Sequence, residues 1–185
     1  MVMVIRPLLG SLRSPVIHRF MHFWVGNWCC EVGNGGVEWE VMLIGEFRHI
    51  IDDKKRISMP ASFRREVGKK MVITKGLDSC LFAYTIDGWK KVSAELDKLP
   101  MTQGAARSFS RFILGSAFEV EIDAMGRVLI PDHLKDFADL KSRVVVVGLN
   151  DRIEIWDERK WKENIDKVEK QADVLAERLS EVGMF

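Results

Sequence analysis

Two short motifs place opposite charges at a fixed spacing. Asp52 precedes Arg56 by four residues, and Asp123 precedes Arg127 by four. An arginine at the end of a tight turn can reach a duplex groove and donate two parallel bonds to guanine O6 and N7. The aspartate before it can hold that guanidinium in a charge-assisted pair, or cap the turn through its backbone. The pair can equally be a plain staple that closes a hairpin, since Asp turns and exposed ion pairs are common. Around the first motif crowd Arg48, Lys54, Lys55, Arg64 and Arg65, a local basic patch suited to phosphate contacts. The stretch before the second motif carries Glu119 and Glu121 instead. The candidate DNA-binding set is therefore Asp52, Lys54, Lys55, Arg56, Arg64, Asp123 and Arg127, with the first copy expected to make most of the contact. Arg107 and Arg111, four apart on one helix face, are weaker candidates because either can pair with a glutamate.

The elements that must position these residues are duplicated with them. Ile51-Asp52-Asp53-Lys54-Lys55-Arg56-Ile57-Ser58-Met59-Pro60 returns as Ile122-Asp123-Ala124-Met125-Gly126-Arg127-Val128-Leu129-Ile130-Pro131. Phe47 falls over Phe118, Phe63 over Leu134, Tyr84 over Trp156 and Trp89 over Trp161. A repeat of this kind means one supersecondary unit used twice. In each unit an alternating strand leads into the Asp turn, a second alternating strand follows, and a proline opens a short helix. Gly126 sits in the second turn where φ above zero costs little, while Lys55 holds that place in the first. That lysine is either strained or part of a different turn. Ile86 to Leu99 and Thr102 to Leu114 read as helices between the units. After the second unit, Trp161, Ile165, Val168, Ala172, Leu175, Leu179 and Val182 form a heptad stripe on one last helix. The stripe suits packing on the chain's own core or a seam between subunits.

With 185 residues, 47% hydrophobic and 30% charged, the chain has an ordinary globular composition. A net charge of +1 excludes a strongly basic field over the whole molecule, so any nucleic-acid surface must be local. Cys29, Cys30 and Cys80 have neither disulfide nor zinc spacing, which points to a reducing cytoplasmic setting without a structural metal. His49 and His133 could be imagined beside the aspartates as an acid–base or metal site. No nucleophile–base pair, phosphate-cradling glycine loop or metal-ligand spacing supports that, so an enzyme, a cofactor and a small-molecule substrate are not expected. Residues 1–41 have no repeat partner and no period. Arg6, Arg13 and Arg19 break every apolar run, against a signal peptide or a membrane span. They read as a mistranslated leader or a disordered extension, with translation starting at Met42.

The doubled Asp-x-x-x-Arg motif, each copy followed by a strand and a Pro-started helix, resembles the MraZ family. Met42-Leu43-Ile44-Gly45-Glu46-Phe47 and Gly148-Leu149-Asn150-Asp151-Arg152-Ile153-Glu154-Ile155-Trp156 are similar to that family as well. The resemblance covers Met42 to about Val182 and departs from the family pattern at Lys55. It implies an α+β, mainly β fold: a tandem AbrB/SpoVT-like swapped-hairpin double-split β pseudo-barrel with capping helices. On that expectation the chain divides into 46–91, the first repeat; 92–116, a helical connector; 117–160, the second repeat; and 161–185, a C-terminal helix. The resemblance further implies a ring-shaped homo-oligomer at the nucleoid that binds double-stranded DNA. Its sites would be direct TGGG-type repeats in the promoter of its own gene, which heads a division and cell-wall cluster. Identical subunits tracking one face of DNA need such repeats about one helical turn apart. The codons of Val32-Gly33, Gly35-Gly36-Val37 and Trp39-Glu40 can each be written with TGGG inside, at gaps of about ten nucleotides, so residues 1–41 are read as operator DNA in translation. Two other classes of function stay open: a ring scaffold that touches no DNA, and an antitoxin-like relative.

Overall fold

The structure is a computed structural model and describes residues 42–181. The expectations for residues 1–41, and for Val182 at the end of the heptad stripe, lie outside the described residues. The first repeat comprises β1 (Leu43–Ile50), β2 (Arg56–Ser58), α1 (Ala61–Val67), β3 (Lys70–Lys75), β4 (Leu81–Thr85) and α2 (Ile86–Asp97). After α3 (Gly104–Leu114) the second repeat follows in the same order: β5 (Phe118–Glu121), β6 (Arg127–Leu129), α4 (Asp132–Ala138), β7 (Arg143–Asn150), β8 (Ile153–Asp157) and α5 (Glu158–Glu169). A last helix, α6 (Ala172–Glu181), ends the described chain.

The strands form a six-stranded sheet in the order β1-β7-β8-β4-β3-β5 and a separate two-stranded ladder, β2-β6. All neighbours are antiparallel. Each repeat keeps its own hairpin, β3-β4 or β7-β8, but lends its first strand to the other. β1 runs along β7, with Phe47 opposite Val146, and β5 runs along β3, with Val120 opposite Met71. Alternation explains these placements. Leu43 is buried while Ile44 and Ile50 face outward, and Val120 is buried between exposed Glu119 and Glu121. Met71-Val72-Ile73 and Val144 to Val147 are buried throughout, as strands covered on both faces must be.

This architecture corrects the expected mainly-β pseudo-barrel. The large sheet is open, with β1 and β5 at its two edges, and helical residues outnumber strand residues. The duplicated motif is built of strands and draws attention to them, whereas much of the helix lies between and after the motifs. The C-terminal stripe is also carried differently: Lys170 and Gln171 interrupt it, so two helices share it.

The main core joins the repeats. Phe63, Ile57, Met59 and Met71 of the first meet Val128, Ile130, Leu134 and Ile153 of the second. On the other side of the sheet Cys80, Val145, Val147 and Trp156 form a smaller cluster with Phe82 and Trp161. The aromatic pairs found in the repeat recur in space, with Tyr84 5.8 Å from Trp89 and Trp156 5.5 Å from Trp161. Both pairs bind the helix after the hairpin to its last strand. Those helices are capped alike: Thr85 Oγ1 accepts from the Gly88 N–H at 3.0 Å, and Asp157 Oδ1 from the Arg159 N–H at 3.1 Å. The equivalence fails at the first strands. Phe47 stacks edge-on to Phe63 at 5.2 Å, but Phe118 is 52% exposed beside His133.

Candidate nucleic-acid interface

The two Asp turns have the same hydrogen bonds. Lys55 N donates to Asp52 O at 2.9 Å and Gly126 N to Asp123 O at 2.8 Å. Asp52 Oδ1 accepts from the Lys54 and Arg56 N–H groups, each at 2.9 Å. Asp123 Oδ1 accepts from Met125 and Arg127 at the same distances. Lys55 has φ 61 and Gly126 φ 77, so the first turn has the ordinary shape of the second with a lysine in the left-handed region. Its strain is offset in part by an ion pair from Lys55 Nζ to Asp132 Oδ1 at 2.5 Å, which ties the first turn to the start of α4.

The second carboxylate oxygen holds the arginine. Asp52 Oδ2 accepts from Arg56 Nε at 2.8 Å and Nη2 at 2.7 Å. Asp123 Oδ2 accepts from Arg127 Nε at 2.9 Å and Nη2 at 2.8 Å. Each aspartate thus does both things its position allows. It caps the turn and it holds the guanidinium, and these bonds keep both carboxyls below the usual carboxylate range.

The β2-β6 ladder brings the motifs side by side, with Arg56 opposite Leu129 and Ser58 opposite Arg127. Arg56 Nη1 then lies 3.6 Å from Asp123 Oδ2, and Arg127 Nη1 3.8 Å from Asp52 Oδ2. Those distances are too long for hydrogen bonds. Each guanidinium is therefore fixed on one edge by its own aspartate, while Nη1 keeps protons to donate. About a quarter of each arginine side chain remains exposed.

The other candidates are placed differently. Lys54 is exposed at the tip of the first turn. Arg64, read with the first copy, lies on the second turn. Its Nε donates to Met59 O at 2.7 Å, and its guanidinium occupies the space where a side chain on Gly126 would be. A Cβ at Gly126 would come within 2.2 Å of Arg64 Cζ. The glycine is needed there for this close approach as well as for its φ. Arg48 is taken up by Glu46 at 2.9 Å and Glu158 at 3.7 Å, and Arg65 by Glu66. Arg107 caps carbonyls of Met101 and Thr102 and pairs with no glutamate among the described residues. His49 is half-buried, its Nε2 has no hydrogen-bond partner among the described residues, and burial first and the charge of Arg64 second push its pKa down. Among the described residues no group of three or more His, Cys, Asp or Glu is arranged to hold a metal.

Sequence reading missed Lys69, which lines a cleft beside the second turn. Its only signal was position, directly after the glycine that ends α1.

A model of the family described as "MraZ protein, putative antitoxin-like" matches the chain twice, over residues 42–112 and 113–181. The chain belongs to the MraZ family. That family is part of the AbrB/SpoVT swapped-hairpin superfamily. Relatives named "Transcriptional regulator MraZ" include one from Moorella thermoacetica, 46% identical over 138 residues, which span 75% of this chain and 96% of the relative. One from Caldanaerobacter subterraneus is 45% identical over 138 residues with the same coverage. One from Caldicellulosiruptor saccharolyticus is 41% identical over 143 residues, 77% of this chain and all of the relative. MraZ-family members are thus transcriptional regulators by name, and each matched half here contains one Asp turn. No helix among the described residues is long and apolar enough to cross a membrane.

Proposed function

We propose that this MraZ-family chain is a sequence-specific DNA-binding transcriptional regulator of the division and cell-wall gene cluster. It binds direct TGGG-type repeats upstream of its own gene, as a ring of identical subunits at the nucleoid. One observation carries the reading. The two Asp-x-x-x-Arg turns lie side by side, each holding its guanidinium on one edge and leaving Nη1 to donate. A preoriented arginine loses little freedom when it meets a guanine edge, and a bidentate contact of that kind is worth about 1–3 kcal/mol of discrimination. Asp52 and Asp123 set the orientation, Arg56 and Arg127 read bases, and Lys54 and Lys55 meet phosphates. The +1 net charge supports a local interface of this type over a general coat on DNA.

The test is fluorescence anisotropy of the full chain on a duplex from the region upstream of its gene, against one with the guanine triplets scrambled, at two salt concentrations. Tight binding that is lost on scrambling and in Arg56→Ala is the expected result. Equal binding to both duplexes, weakening steeply with salt, would reduce the protein to a non-specific DNA coat. No binding to either would leave a ring scaffold that works without DNA. A larger loss in Arg127→Ala than in Arg56→Ala would overturn the leading role given to the first turn.

A further inference from the structure

Between the end of α1 and the second turn lies an open cleft of about 460 Å³, lined in part by Arg64, Lys69, Lys70, Glu121, Asp123 and Gly126. Its charges do not cancel. Lys70 is taken up by Glu119 at 2.7 Å and Glu121 at 3.6 Å. Asp123 is taken up by Arg127 and by two backbone N–H groups. Two cations remain. Arg64 spends only Nε, on the Met59 carbonyl, and among the described residues no carboxylate lies within ion-pair distance of Arg64 or Lys69. The charge of Arg64 is also felt by His49, whose protonation it opposes.

The two turns differ in one respect that this cleft explains. The first turn carries its own basic side chain at the left-handed position, Lys55. The second has Gly126 there, buried, with the Arg64 guanidinium in the space a side chain would occupy. Each turn therefore has a basic side chain at its left-handed position, Lys55 paired with Asp132 in the first and Arg64 from the other repeat in the second. We infer that the cleft is a seat for a backbone phosphate of DNA, built by Arg64 and Lys69 of the first repeat at the turn of the second. A phosphate oxygen accepts readily from a guanidinium Nη and an ammonium. The cleft is open, as the path of a continuous backbone requires, and it adjoins the turn whose Arg127 is assigned a base contact in the DNA-binding reading. The inference rests on the DNA-binding reading above.

The experiment measures binding of the full chain to the upstream duplex and to the scrambled duplex over a range of salt concentrations. Arg64→Gln and Lys69→Gln are each expected to make the slope of log K against log salt shallower, by up to about 0.9, the value of the one phosphate contact they share. Both should weaken the two duplexes equally, because a phosphate carries no sequence information. Arg64→Lys should restore the slope. Among the described residues the Lys69 side chain makes no hydrogen bond or ion pair, and the Lys69 carbonyl that accepts from Ile122 N–H at 2.9 Å is untouched by the substitution, so Lys69→Gln should melt like the parent and still report if Arg64→Gln folds poorly. A parent that binds DNA with an unchanged slope in both glutamine variants would overturn the seat and leave the regulator reading standing. A parent that binds no duplex would overturn both. Inorganic phosphate supplies the last arm. If it raises the melting temperature in the parent but not in Arg64→Gln, while both DNA slopes stay unchanged, the cleft takes a free anion and the DNA assignment is overturned.

Discussion

The side-chain carboxylates of Asp52 and Asp123 each receive four hydrogen bonds from the residues that follow them, and this fixes how the turns respond to acid. For Asp52 the largest cause of the lowered pKa is the Arg56 side chain; for Asp123 it is the Arg127 backbone N–H. A carboxyl depressed in the fold stabilises it above the unfolded value of 3.8, and that stability is lost as pH falls through the folded value. The parent should therefore lose melting temperature as pH falls below about 4. Asp52→Asn should melt lower at neutral pH and show a shallower acid slope; a slope equal to the parent's would dissociate the turn from acid lability. His49 gives a second, milder window. With its pKa pushed down by burial first and Arg64 second, it costs stability as pH drops below the unfolded 6.5, until the folded value is passed. Thermal scans from pH 7.5 to pH 5 should flatten in His49→Leu. Lys55 offers a third test. Relief of its left-handed φ is worth about 1–2 kcal/mol, and the added freedom of an unfolded glycine takes back roughly 0.5–1. The substitution also removes the Lys55–Asp132 ion pair, so Lys55→Gly should be more stable by no more than about 1 kcal/mol in urea melts, while its DNA affinity becomes less sensitive to salt. The turn itself was legible in the sequence, because an Asp before an Arg at this spacing leaves few conformations. The seating of Arg64 on Gly126 was not legible. Those residues are 62 apart and meet only because the two repeats interleave.

That interleaving is also where prediction at the level of elements ran out. Alternation in Phe118-Glu119-Val120-Glu121 and the apolar run Val144 to Val147 identified strands and the exposure of all their residues but Phe118, which the alternation places with buried Val120 and which is exposed. Neither pattern states which strand is the neighbour, and both β1 and β5 lie beside a strand of the other repeat. The open edges of the sheet depend on pairings that do not form, and no local pattern records those. The break in the C-terminal stripe was equally hidden, since Lys170 and Gln171 are both good helix formers. One glycine does mark the exchange of strands. A Cβ on Gly148 in β7 would stand 2.7 Å from the Leu43 backbone of β1 and 2.6 Å from the Phe63 ring. Neither strand backbone nor a fully buried ring can move aside cheaply, so Gly148→Ala should cost about 1–3 kcal/mol. Equilibrium urea unfolding would measure it, and a neutral result would mean that β1 is free to shift on β7.

At the scale of the whole molecule, the exchanged strands make each half depend on the other. Without the second repeat, β3 would lose β5 along one edge, β4 would lose β8, and β1 would have no partner at all. Leu43, Phe63, Ile57 and Met71 would lose the Val128, Leu134, Val146 and Ile153 side of their core. Burial of one large apolar side chain is worth about 1.5–3 kcal/mol, and net stability of a domain is only about 5–15 kcal/mol. Loss of several such contacts exceeds what either half could retain. The full chain should therefore unfold in a single cooperative transition, and separately produced segments 1–116 and 117–185 should each lack a cooperative melt. Mixed in equal amounts, they should regain one, because every strand would again find its neighbour in the other segment. Calorimetry and circular dichroism on the two segments and their mixture would decide this. If either segment melted cooperatively alone, the two Asp turns would be modules able to work separately. If only the mixture folds, the paired turns exist as a unit or not at all, and any DNA contact by one requires the other to be in place.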